Sequence, residues 1–201
     1  MKATHQKNLA FIPLFSFFIC ICLYLPSHAG ATTVSGITLK ESIKLGKNNL
    51  LLNGAGQRSK YYIDLYIAAL YLTNKTQDPQ KIIDANEPML IQVHVISNLI
   101  SSENLTRGTM EGFTKSTKGK TEAIQPQIDQ FLDSFKEKID IGDVFEIVYL
   151  PNKGVTVIKN RKLVKRMDVD LNFKKALFGI WLSDKPAQKS LKDKMLGIQH
   201  K

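Results

Sequence analysis

The chain has 201 residues, 43% of them apolar, and carries 28 Lys and Arg against 18 Asp and Glu, a net charge of +10. Its two cysteines, Cys20 and Cys22, lie near the start, which excludes a disulfide framework, a thiol nucleophile or a Cys-based metal site from everything that follows.

Lys2 and Lys7 precede an uncharged apolar run, Leu9 to Leu25, and small residues follow at Ser27-His28-Ala29 and Ala29-Gly30-Ala31. This three-part pattern predicts a secretory signal peptide cleaved after Ala29 or Ala31, and hence export, with a periplasm as the expected compartment. The run is at the short end of what spans a bilayer, which disfavours an uncleaved anchor. Residues 32–201 then form one domain with a single core. Without Lys2 and Lys7 the remaining 26 basic residues still outnumber the 18 acidic ones. In an exported protein that balance argues against nucleic acid and for attraction to an anionic envelope surface or an acidic ligand, although a plain basic surface explains it equally well.

In chain order, Gly36 to Ile43 reads as an opening strand, and Gly46 to Asn49 as a turn. Leu50 to Leu72 follows as a strand pair or a bulged strand around Asn53-Gly54-Ala55-Gly56, where the glycines tolerate positive φ. If the chain stays extended from Arg58, Tyr62 and Tyr66 share its face, while Tyr61, Ile63, Leu65 and Ile67 take the other. One cation beside two phenols would suit an anionic or enolate-like oxygen. Asp78-Pro79 opens a short helix. Met89 to Ile96 is a strand inside the sheet. Ser101 to Asn104 supplies N-cap residues for a helix bearing Leu105, Met110 and Phe113, and 115–120 is a solvated connection. Ile124, Ile128, Phe131, Leu132, Phe135 and Ile139 form one helical stripe. Val144 to Leu150, Val155 to Ile158 and the segment after 162 read as a meander. Helices over Leu171 to Leu182 and from near Pro186 complete the chain. The expected class is α+β, an antiparallel sheet with helices packed on one face.

Several motifs fail. Ser59 stands where a dinucleotide fingerprint needs its third glycine, and Thr114 where a phosphate loop needs its first. Past the leader only His94 and His200 remain, which predicts neither a metal site nor a Ser-His-Asp hydrolase, and no cofactor is expected. A lone His94 on an apolar strand reads first as a hydrogen-bonded sheet residue.

Leu52-Asn53-Gly54-Ala55-Gly56-Gln57-Arg58 and Ala68-Ala69-Leu70-Tyr71-Leu72 resemble the chalcone isomerase-like family, whose plant members carry a glycine-rich turn, an arginine after it, and a strand ending in small residues and Val-Tyr-Leu. The resemblance implies that family's fold across nearly all of residues 32–201. It places Arg58 as the arginine that holds the oxyanion during ring closure, with Tyr66 where the family has a strand threonine. The family's helix tyrosine and asparagine fall near Leu105 and Gly112, and its late threonine near Gly179, so the other polarising donors are missing; one such donor is worth ~3 kcal/mol. Non-enzymatic relatives bind fatty acids, with the arginine and a tyrosine holding the carboxylate over an apolar cleft, a role open to Arg58 with Tyr62 or Tyr66.

Three readings therefore stay open. One is an envelope protein binding a small amphipathic, lipid-like carboxylate through Arg58, Tyr62 and Tyr66. The second is an intramolecular lyase acting on an enone or phenolic substrate, with Arg58 and Tyr66 catalytic. The third is an interaction module using the basic segment Lys159 to Arg166, in which Arg58 pairs with Asp64 or Glu41.

Overall fold

The computed structural model describes residues 31–198. The leader, both cysteines, the two cleavage sites through Gly30, and His200 lie outside the described residues.

Nine strands and five α-helices follow in order: β1 (Ala31–Val34), β2 (Ile37–Lys40), β3 (Ser42–Leu45), β4 (Asn48–Lys60), β5 (Ile63–Leu72), α1 (Pro79–Asp84), β6 (Met89–Val95), α2 (Ser102–Ser116), α3 (Gln125–Leu132), β7 (Val144–Leu150), β8 (Gly154–Lys159), β9 (Lys162–Met167), α4 (Leu171–Leu182) and α5 (Lys189–Met195). Strands β3 to β9 form one antiparallel sheet in sequence order, and β1 pairs with β2 in a separate hairpin. The fold is α+β, as the sequence indicates.

Because side chains alternate across a strand, β5 feeds two cores. Tyr66, Ala68, Leu70 and Leu72 join the larger cluster beneath the helices, with Phe113, Phe131, Phe173 and Phe178. Ile67, Ala69 and Tyr71 join a smaller cluster closed by Leu39 of the β1–β2 hairpin. The residues named in both clusters all lie between 31 and 198.

The extended reading of Arg58 to Tyr66 is corrected here. The chain reverses at Tyr61-Tyr62, a two-residue hairpin loop between Lys60 and Ile63, with both tyrosines at positive φ (50° and 64°). Asn53 to Gly56, by contrast, contains no reversal: it stays inside β4, with a bulge between Leu52 and Gly54. The glycines serve a close approach. A Cβ on Gly54 would lie 2.2 Å from the Lys194 carbonyl oxygen, and one on Gly56 would lie 2.7 Å from the Lys194 Cβ. Asn53 fastens the same contact, donating to the Thr76 and Met195 carbonyls and accepting from the Thr76 amide. Gly54→Ala must therefore push α5 off β4, and thermal unfolding should show a loss of about 1–3 kcal/mol, the usual cost of overpacking.

The stripe from Ile124 to Ile139 is buried at Ile124, Ile128, Phe131, Phe135 and Ile139, but it is not one helix. Two 3-10 turns, 122–124 and 133–135, flank the eight residues of α3. Helix α2 runs two residues, Lys115 and Ser116, into the segment expected to be a connection. His94 lies on the sheet face, hydrogen-bonded to Gln92 at 2.8 Å, and burial lowers its pKa.

Candidate functional site

A cleft of about 320 Å³ opens between the helices and one end of the sheet. Strands β4 and β5 form one wall, with Arg58, Leu65 and Tyr66. Helix α2 forms the opposite wall with Leu105, Gly108, Thr109 and Gly112. Its inner end is closed by Phe131, Phe135, Phe145, Ile180 and Trp181. The volume and the mainly apolar lining with a few convergent polar groups suit a small amphipathic ligand.

Antiparallel register sets Arg58 directly across from Tyr66. Arg58 Nη1 donates to the Ala187 carbonyl and, at 3.4 Å, to Gln188 Oε1. Gln188 Oε1 also accepts from the Ser59 amide at 2.9 Å, so the chain between α4 and α5 orients the guanidinium. Arg58 forms no ion pair among the described residues. Asp64 accepts from Ser59 and Glu41 accepts from Thr32, so neither takes the arginine's charge. Glu111 on α2 is stabilised as a carboxylate first by Lys115, and only more weakly by Lys60 and Arg58.

Tyr66 is buried, and its phenol oxygen accepts a 3.2 Å hydrogen bond from the Trp181 indole N–H. Burial raises its pKa; the charge of Arg58 and hydrogen bonds from Trp181 and Arg58 oppose that without reversing it. At neutral pH the phenol keeps its proton and can donate it to a ligand oxygen. A permanently charged fork and a neutral phenol thus converge on one end of an apolar cleft, a pairing that matches an anionic oxygen.

Tyr62 does not join them. It sits at the hairpin tip, fully exposed, and is not among the residues lining the cleft. Its neighbour Tyr61, which the extended reading had turned away, lines the opening instead. Leu105 and Gly112 do line the cleft, so its α2 wall is apolar where the resemblance implies donors. Gly112 is there for packing: a Cβ would lie 2.7 Å from Ile180 Cγ2. Gly108 differs, since a Cβ built on it meets nothing within 4 Å. Sequence reasoning did not identify Trp181, Gln188 or Gly108 as parts of the site. Trp181, the chain's single tryptophan, on the buried stripe of α4, was the one available signal.

Among the described residues, no group of His, Asp and Glu could hold a metal ion. Among curated proteins, none matches the sequence. A solved structure of an Arabidopsis thaliana fatty-acid binding protein shares the fold, with a TM-score of 0.65, 14% identity, and coverage of 83% of this chain and 96% of that one. A family model described as chalcone isomerase-like matches residues 31–197, and the chain belongs to the chalcone isomerase-like family.

Proposed function

We propose that this protein is a binding protein for a small amphipathic carboxylate of the fatty-acid type, exported to an envelope compartment. The observation that carries this reading is the Arg58–Tyr66 pair, an arginine without a carboxylate partner among the described residues beside a protonated phenol at the edge of an apolar cleft. The carboxylate takes the guanidinium fork and the phenol O–H, and the hydrocarbon tail lies against Leu65, Leu105, Phe131 and Phe135. The fatty-acid binding protein that shares the fold supports the same ligand class. Export rests on the charged, apolar and small-residue pattern of the first 31 residues.

Titration calorimetry with palmitate and with its methyl ester tests this reading. The two share the tail and differ in charge, so palmitate should bind at least about tenfold more tightly, the effect of one charge-assisted hydrogen-bonded contact. Equal affinities would show that Arg58 and Tyr66 do not hold the head group. The cleft itself is tested by Gly108→Phe. The new ring has open space to enter, and replacing glycine inside a helix does not cost propensity. Palmitate binding should fall sharply while the melting temperature stays level or rises.

A further inference from the structure

The β4–β5 hairpin has an unusual tip. Two-residue hairpin loops with both residues at positive φ favour Asn and Gly, because a bulky side chain is strained there. The other hairpin tips with that backbone among the described residues each hold one favoured residue, Gly36 in Ser35-Gly36 and Asn160 in Asn160-Arg161. The tip between Lys60 and Ile63 uses Tyr61-Tyr62, and displays both rings, 83% and 105% exposed. Strain kept at a position where it brings no packing points to a use outside the fold.

Two more exposed apolar residues, Ile63 and Leu99, stand beside them. Tyr61, Ile63 and Leu99 also line the cleft, so the exposed apolar side chains of the rim belong to the same opening as the apolar interior. Cations border it. Lys60 lies 5.6 Å from the Tyr61 ring centre, and Arg107 and Lys115 on α2 line the same opening. The acidic groups here are Glu103 and Glu111, paired with Arg107 and Lys115, and Asp64, which accepts from Ser59. Lys60 has no carboxylate partner among the described residues, and the whole chain is at +10.

We infer that the Tyr61-Tyr62 tip and its basic rim dock the mouth of the cleft onto an anionic phospholipid surface. Tyrosines place an apolar ring and a polar hydroxyl at a water–lipid boundary, and lysine and arginine add attraction to acidic head groups. The inference rests on the carboxylate-binding reading: a ligand with a long tail resides in a bilayer, and a mouth held against that bilayer lets the tail pass without crossing water.

The test is co-flotation of the chain from Ala31 onward, which lacks the leader run, with vesicles of phosphatidylcholine alone or mixed with phosphatidylglycerol. Wild type should float with the mixed vesicles, and less so as salt rises. Tyr61→Asn combined with Tyr62→Gly gives the loop its favoured residues, so the fold should be unharmed while flotation falls by about tenfold or more, as two rings' worth of apolar contact is withdrawn. Equal flotation of the variant would overturn the inference. So would a wild type that ignores anionic vesicles, the result expected if this rim instead meets a protein. Arg58→Ala separates the two readings: docking that survives with palmitate binding lost upholds both. Palmitate binding without docking removes only this inference, and docking without palmitate binding removes the reading beneath it.

Discussion

Replacing Arg58 by alanine should weaken palmitate binding by about 2–3 kcal/mol, roughly 30- to 150-fold in Kd, while the fold survives. Breaking a hydrogen-bonded charge pair costs about 2–5 kcal/mol, and the half-buried setting of Arg58 at an open cleft argues for the lower part of that range. The protein loses little of its own stability, because among the described residues the guanidinium holds no carboxylate, only the Ala187 carbonyl, Gln188 and the Tyr66 phenol, which keeps its bond from Trp181. Arg58→Lys should recover part of the affinity, since a lysine supplies the charge without the planar fork. Calorimetry on the three proteins, with circular dichroism to check folding, decides the matter. If Arg58→Ala bound palmitate as wild type does, the arginine would be structural.

The largest effect on stability should come from Lys174, which sits in α4 with no exposed surface. Its ammonium donates to the carbonyls of Ile82, Ile83 and Ala85 at 2.7, 2.9 and 2.8 Å, and so caps the C-terminal end of α1. It also lies 5.7 Å from the Tyr149 ring centre and 5.5 Å from that of Phe178. Lys174→Met keeps most of the apolar volume but orphans three carbonyls. Each unsatisfied buried group costs about 1–3 kcal/mol. Relief from burying a charge offsets part of this, so urea unfolding should show a loss of about 2–4 kcal/mol.

Lys174 also sets a pH signature. Burial lowers its pKa to about 8 in the fold, whereas an unfolded lysine holds its proton to about 10.4. Between pH 8 and 10 the unfolded chain therefore binds more protons, so stability should rise with pH in that window. Above pH 10 the trend reverses as unfolded tyrosines ionise, while burial holds Tyr71 up at about 12. Lys174→Met should abolish the rise between 8 and 10 and leave the fall above it.

These features differ in how legible they were. Helix α4 was read to its last residue from its apolar spacing, and the structure adds an Asp170 N-cap that fixes its start. Lys174 was nevertheless missed, although it lies three residues from Leu171 and three from Leu177, on the stripe that is buried. A lysine is ordinarily taken as solvated, and only the carbonyls arriving from α1 make burial tolerable. The stripe from Ile124 to Ile139 identified the buried side chains but not the broken backbone, since α and 3-10 turns both bring residues three apart to one side.

The site was half legible. Arg58 and Tyr66 do meet, though through a cross-strand pair and not along one strand. The reversal was sought at Gly54 and Gly56, where glycine is the usual sign of a turn. Those glycines answer instead to α5, which is more than a hundred residues away in sequence. The true reversal occupies two tyrosines, a choice that local preference disfavours and that gains a reason only from the rim they form.

The most direct test of the account is native mass spectrometry on the chain from Ala31 onward, produced in a bacterial envelope and purified without detergent, beside Arg58→Ala. The account predicts a discrete adduct on wild type with the mass of a long-chain carboxylate, absent from the variant. A wild type that carries no adduct and takes up none when palmitate is added would contradict it.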